Sequence, residues 1–137
     1  ATDQDGKTVD LGEIFAEGYT LVFFYPKANT MGCTKQACSL RDAYEDLTDE
    51  GVTVIGVSTD TAKAQKSFAT KQNLPYTLIA DPEGKVVSAF GVPKTAGFAA
   101  RQAFLIKDGE IVWLDYTAST GKQAADVLEA MKTLQTS

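Results

Sequence analysis

Residues 19–57 read YTLVFFYPKANTMGCTKQACSLRDAYEDLTDEGVTVIGV, and the way this stretch alternates between two kinds of pattern decides the fold. Tyr19 to Tyr25 is a short, continuous apolar and aromatic run stopped by Pro26, which predicts a strand buried on both faces. From about Gly32 to Glu50 the spacing changes: Ala37, Leu40, Tyr44 and Leu47 fall on one face of a helix, and Gly51 supplies its stop. Val52 to Val57 returns to a buried strand. A strand, a helix and a second strand in succession predict a parallel pair joined by a crossover.

Working outward, Asp3-Gln4-Asp5-Gly6 reads as a turn. It superficially resembles a calcium loop, but the downstream glycine and glutamate spacing is missing. Asp60 or Thr61 can cap a helix that runs through Gln72, with Ala64 and Phe68 one turn apart. Lys63, Lys66 and Lys71 read as its solvated face. Tyr76 to Ala80 is a short strand that ends in the turn Asp81-Pro82-Glu83-Gly84, and a short helix follows from Lys85 to Phe90. Ala103 to Ile106 and Ile111 to Tyr116 are strands joined through Asp108-Gly109, a strong hairpin signal. Trp113 on the second of them reads as core or partial core. A closing helix from about Lys122 to Leu134 carries Ala124, Val127, Leu128, Met131 and Leu134 on one face. The fold expected is α/β, a central mixed sheet flanked by helices, in one domain spanning residues 1–137. That order accommodates a thioredoxin-like core with an insertion before the hairpin.

Composition removes several function classes. The chain has 137 residues, 44% of them hydrophobic, and a net charge of −5. That balance argues against a nucleic-acid surface or an acidic-membrane surface. The longest apolar run, Leu21 to Tyr25, is far short of a membrane span. There is no histidine, which removes His-based triads, His general bases and most zinc sites. The two cysteines, Cys33 and Cys38, are too few for a disulfide framework or a four-cysteine cluster.

Cys33 falls where the exit loop of the first buried strand meets the first turn of the helix. Unpaired N–H groups and the positive end of the helix dipole converge there and favour a thiolate, the nucleophilic form. A buried, inert cysteine is the competing reading. Cys38 follows five residues later. In an ideal helix that spacing separates the Cα atoms by roughly 8 to 9 Å and turns them through about 140°. A disulfide needs them within about 7 Å. Either the two thiols never pair, or the first turns of the helix unravel to let them. A permanent staple is disfavoured.

The spacing Pro26-x-x-x-Thr30-x-x-Cys33 matches the active-site signature of peroxiredoxins. The surrounding string, with Cys38, Arg41 and Asp42, is similar to the bacterioferritin comigratory protein or peroxiredoxin Q subfamily. Arg101-x-x-Phe104-Leu105-Ile106 matches the place where that family carries an arginine ahead of a core strand, and Asp81-Pro82 and Phe90-Gly91-Val92 match as well. Met31 departs from the subfamily's frequent proline, which implies altered loop stiffness.

The resemblance implies a thiol-dependent peroxidase that reduces hydrogen peroxide and organic hydroperoxides. Cys33 would attack the peroxide and become a sulfenic acid. Thr30 would hold thiolate and peroxide oxygen, Arg101 would stabilise the thiolate and the charge on the leaving oxygen, and Pro26 would shield the site. Cys38 would resolve the sulfenic acid to an intramolecular disulfide, and thioredoxin or a similar dithiol would restore the reduced state. No metal or organic cofactor is implied. Taken singly, Thr30 reads as an N-cap, Arg101 as a surface charge and Pro26 as a strand terminator. Tyr25, Lys27, Gln36 and Arg41 read as residues that shape and brace the loop.

A thioredoxin-like disulfide oxidoreductase is the nearest rival, but it calls for C-x-x-C, whereas the spacing here is C-x-x-x-x-C. A peroxide-responsive sensor that signals through helix unwinding is the rival from another class. The subfamily is often monomeric, so a monomer is expected, with a dimer as the alternative. A cytoplasmic location is expected. The family usually carries a further strand or turn ahead of the Asp-x-Asp-Gly region. With Ala1 in first place, a domain lacking a few N-terminal residues is the expectation.

Overall fold

The buried run at Tyr19–Phe24 lies at the centre of a six-stranded sheet, with a strand hydrogen-bonded on either side. The structure is a computed structural model that describes residues 2–16, 18–25, 38–42, 44–49, 51–92, 94–95, 98–99 and 102–115. In chain order the strands are β1 (Thr2–Asp3), β2 (Tyr19–Phe24), β3 (Val52–Ser58), β4 (Thr77–Ala80), β5 (Lys94–Thr95), β6 (Phe98–Ala99), β7 (Gln102–Lys107) and β8 (Glu110–Asp115). The helices are α1 (Leu11–Phe15), α2 (Tyr44–Asp49), α3 (Ala62–Gln72) and α4 (Lys85–Ala89). Residues 38–42 are also helical.

The sheet order is β1-β4-β3-β2-β7-β8, and β5 pairs with β6 in a separate two-stranded ribbon. β2 runs parallel to β3, from Tyr19↔Val52 to Phe24↔Val57, and β3 runs parallel to β4. β7 lies antiparallel to β2, from Tyr19↔Lys107 to Phe24↔Gln102, and β8 extends that edge as a hairpin. The sheet is therefore mixed, as the alternating order and the final hairpin predict. The hairpin turn holds Asp108 at φ 49 and Gly109 at φ 86. Two successive left-handed residues match the twist of the flanking strands, which is why Asp-Gly is favoured there.

Burial on both faces explains why β2 reads as unbroken apolar sequence. Leu21, Phe23 and Tyr25 join Val52, Val54, Leu78, Ala103 and Leu105 on one face, covered by Leu40, Leu47 and Phe68. Val22 and Phe24 join Ile55, Val57, Ile79, Phe104 and Ile106 on the other, covered by Val87 and by partly buried side chains of α1 and α4. Gly56 sits in β3 where a Cβ would come within 2.8 Å of both Leu78 and Phe23. A side chain at that position would displace two core residues.

Several expectations hold closely. Thr61 caps α3 by accepting the Ala64 N–H, and the helix ends at Gln72. Gly6 N–H donates to the Asp3 carbonyl at 3.1 Å, closing the first turn, while Asp3 Oδ1 accepts from Asp5 and Lys7 N–H at 2.9 Å each. That carboxylate serves the turn. Trp113 is partly buried against the first core face. The predicted helix over 32–50 is helical at 38–42 and 44–49, and its remaining residues lie outside those described. The closing helix predicted over 122–134 also lies outside them.

Three elements have no counterpart in the sequence reading: β1, α1 and the β5–β6 ribbon. Each is five residues or shorter. Such pieces are too brief to show a period, and tertiary contact holds them. α1, for instance, starts at an Asp10 cap to Glu13 N–H and rests Leu11, Ile14 and Phe15 on the second face.

Candidate active site

β2 ends at a residue held from four directions. Tyr25 is fully buried and its N–H donates to the Val57 carbonyl at 3.1 Å. Its ring stacks on Phe23 at 5.5 Å and tilts against Phe68 at 5.8 Å. Its hydroxyl donates to Gln65 Oε1, and Gln65 Nε2 in turn donates to the Ile79 carbonyl at 2.8 Å. Gln65 is itself fully buried, so this chain of bonds satisfies both the phenol and the amide. The strand end that leads to Pro26 is thereby clamped to α3 and β4. These contacts fix Tyr25 at the strand end, and the loop it is expected to brace lies outside the described residues.

The register brings a second chain end to the same place. Phe24 pairs with Gln102, the first residue of β7. The backbone leading to Pro26 and the backbone arriving from Arg101 therefore leave adjacent strand ends, although more than seventy residues separate them in sequence. Pro26, Thr30, Cys33 and Arg101 lie outside the described residues, as do Lys27, Met31 and Gln36.

Cys38 is described. It carries a free thiol, half-buried, in the helical residues 38–42. Its Sγ donates to Gln72 Oε1 at 3.4 Å. Arg41 donates from Nη1 to the Gln72 carbonyl at 2.8 Å, and from Nε to Asp42 Oδ1 at 3.0 Å. The Asp42 hydrogen bond raises the Arg41 pKa above its ordinary value. Partial burial opposes that shift, and the fields of Cys38, Asp42 and Tyr76 reinforce it. Arg41 therefore braces the segment as a permanent cation.

Tyr76 closes the cluster from β4's approach. It is buried against Phe23 at 5.7 Å and Tyr44 at 6.2 Å. Burial pushes its phenol well above the ordinary tyrosine range. Tyr25 and Cys38 push the same way and Arg41 opposes them. At neutral pH the phenol is an uncharged wall beside the thiol.

Sequence reasoning missed Gln65, Gln72 and Tyr76. A glutamine within or at the end of a helix reads as surface, and nothing in its neighbours marks it as a partner for a residue some thirty or forty positions away. Among the described residues no cluster of three or more His, Cys, Asp or Glu side chains could hold a metal ion, and no helix is long and apolar enough to cross a membrane.

The model of the AhpC/TSA family matches residues 1–114. The chain belongs to the AhpC/TSA family. Among solved structures of this kind, peroxidoxin BcpB from Mycobacterium tuberculosis superimposes with a TM-score of 0.89 at 30% identity, over 97% of this chain and 90% of that one. The bacterioferritin comigratory protein of Xanthomonas campestris, studied for alkyl peroxide reduction, gives a TM-score of 0.89 at 26% identity, over 97% of this chain and 89% of its own. Peroxiredoxin bcp1 of Schizosaccharomyces pombe is 45% identical over 95 residues, 69% of this chain and 49% of the relative. The chain spans about half the length of the curated relatives it matches. AhpC/TSA membership and these superpositions bear out both the peroxiredoxin resemblance read from Pro26 to Cys33 and the thioredoxin-like fold.

Proposed function

We propose that this chain is a thiol peroxidase of the peroxiredoxin Q type, acting on hydrogen peroxide and organic hydroperoxides. The observation that carries the reading is the run Pro26-x-x-x-Thr30-x-x-Cys33, issuing from the clamped end of β2 in a chain of AhpC/TSA family sequence and fold. The relative from Xanthomonas campestris supports the substrate class, through the alkyl peroxide reduction for which it was studied.

In this reading the Cys33 thiolate attacks the terminal peroxide oxygen. A sulfur–oxygen bond forms, the oxygen–oxygen bond breaks, and the leaving alkoxide or hydroxide takes a proton to depart as alcohol or water. Thr30 orients the thiolate and the peroxide, Arg101 stabilises the charge moving onto the leaving oxygen, and Pro26 keeps water away. The Cys38 thiolate then attacks the Cys33 sulfur and expels hydroxide, which is protonated to water, leaving a disulfide. A dithiol of the thioredoxin type returns both sulfurs to thiols by exchange.

Mass spectrometry after one equivalent of hydrogen peroxide tests the scheme. The wild type loses two hydrogens, Cys33→Ser does not react, and Cys38→Ser stops at a sulfenic acid that a cyclic diketone traps. Peroxide consumption by Cys33→Ser at the wild-type rate would overturn it.

A further inference from the structure

Gln72 is the last residue of α3, so its carbonyl is among those a helix leaves without an internal donor. Asn73 follows in the left-handed region and closes the helix. Arg41 Nη1 takes up the Gln72 carbonyl at 2.8 Å, and Cys38 Sγ donates to the Gln72 side-chain oxygen at 3.4 Å. Cys38 and Arg41 are three residues apart, which puts them on one face of a helical turn. A single residue from a distant element therefore holds that face twice, once through its backbone and once through its side chain.

We propose that Gln72 is a positioning residue, a latch that holds Cys38 on its helix and sets how fast it resolves the Cys33 sulfenic acid. The inference rests on the peroxidase reading above. At the helical spacing that the sequence predicts for residues 33–38, Cys38 cannot reach Cys33, so in this proposal its thiol leaves Gln72 and its turn opens before the sulfurs meet. A contact present in the folded segment and lost before bond formation adds to the barrier. In the step itself the Cys38 thiolate forms the sulfur–sulfur bond while the sulfur–oxygen bond of Cys33 breaks. Cys38 is oxidised, Cys33 is reduced, and hydroxide leaves to become water. While the latch stays closed the sulfenic acid persists, and a second peroxide can carry it to the sulfinic acid. Gln72 thus sets the balance between turnover and overoxidation.

Two substitutions separate the acceptor from the bulk of the side chain. Gln72→Met keeps the length and loses the acceptor, whereas Gln72→Glu keeps an acceptor. In single-turnover stopped flow, Gln72→Met forms the disulfide roughly three- to tenfold faster than wild type, the factor one lost hydrogen bond carries, with the peroxide step changed less than about twofold. It also accumulates less sulfinic acid at high peroxide. Gln72→Glu forms the disulfide no faster than wild type. Equal resolution in Gln72→Met and wild type, equal acceleration by both variants, or parallel change in both steps would overturn the latch.

A second arm needs no peroxide chemistry. In a Cys33→Ser background Cys38 is the sole thiol, and its alkylation by iodoacetamide is faster with Gln72→Met than with Gln72→Glu or with Gln72 retained. Unchanged alkylation would count against the latch. Absence of a Cys33–Cys38 disulfide in the wild type would overturn the resolving role of Cys38 and with it the kinetic part of the latch, whereas peroxide consumption by Cys33→Ser at the wild-type rate would overturn the peroxidase reading.

Discussion

On one face of β2, Leu21, Phe23 and Tyr25 pack with Phe68, Leu78 and Leu105; on the other, Val22 and Phe24 pack with Ile79, Val87 and Phe104. As apolar layers the two are alike, but they treat polar groups differently. The first face admits the Tyr25 hydroxyl, bonded to Gln65, and has the Cys38–Gln72–Arg41 contacts at its margin. α3 makes this possible, because it is long enough to offer a buried glutamine, Gln65, one turn in and a partly buried one, Gln72, at its end. The second face is covered by α1 and α4, five residues each, which contribute aliphatic and aromatic side chains. Phe24, Phe90 and Phe104 contact one another there with centroids 5.2 to 5.6 Å apart. Thr20 and Gln102, which share the parity of Val22 and Phe104, each bury an oxygen with no hydrogen-bond partner among the described residues, Thr20 Oγ1 and Gln102 Oε1. Among the described residues, the polar groups beside Cys38 are paired, whereas behind the sheet Asp81 is paired through the Lys85 and Val87 N–H groups and the oxygens of Thr20 and Gln102 are not.

The largest expected effects probe the apolar likeness. Phe68→Ala on the first face and Phe104→Ala on the second should each cost about 3–5 kcal/mol in denaturant unfolding, because both rings are buried and leave cavities. A difference between them larger than about 2 kcal/mol would show that the faces are not equivalent as packing layers. Tyr25→Phe comes next. It removes the hydroxyl and leaves Gln65 Oε1 without that donor, at a cost of about 1–3 kcal/mol in the same measurement.

Tyr76 gives a pH-dependent test. Its pKa is raised in the folded chain above the unfolded value of about 10. The stability linked to the un-ionised phenol is therefore complete below about pH 10 and is lost as pH climbs further, when the unfolded phenol ionises first. Unfolding midpoints should fall more steeply above about pH 10 in wild type than in Tyr76→Phe, and parallel curves would remove the phenol from the account. The smallest effect belongs to the second face. Gln102→Met removes an orphaned acceptor and should be neutral or stabilising by up to about 1 kcal/mol. A clear loss would mean that the oxygen is paired, and the contrast between the faces would weaken.

Much of the frame was legible because it rests on local chemistry. The unbroken run at Tyr19–Phe24 reports burial on both faces, Thr61 is a helix cap wherever it precedes such a helix, and Asp108-Gly109 supplies the left-handed pair a tight hairpin needs. The short elements β1, α1 and β5–β6 were not legible, since two to five residues carry no period. Within the site the same division holds. Tyr25 and Arg41 stood out beside the cysteine motif as bracing residues, but their partners did not.

Taken alone, the sequence determined the strand-helix-strand order, the absence of any imidazole, and a pair of cysteines at a spacing that an intact helix keeps apart. Those properties follow from residue identity and from the fixed rise and turn of a helix, which need no knowledge of distant neighbours. Only the tertiary structure decided that strand ends leading to Pro26 and from Arg101 would be neighbours, and that Gln65 and Gln72 would reach Tyr25, Cys38 and Arg41. Such contacts depend on strand register and on how α3 lies across the sheet, and a hydrogen bond between residues thirty or forty positions apart leaves no periodic trace in either partner's sequence.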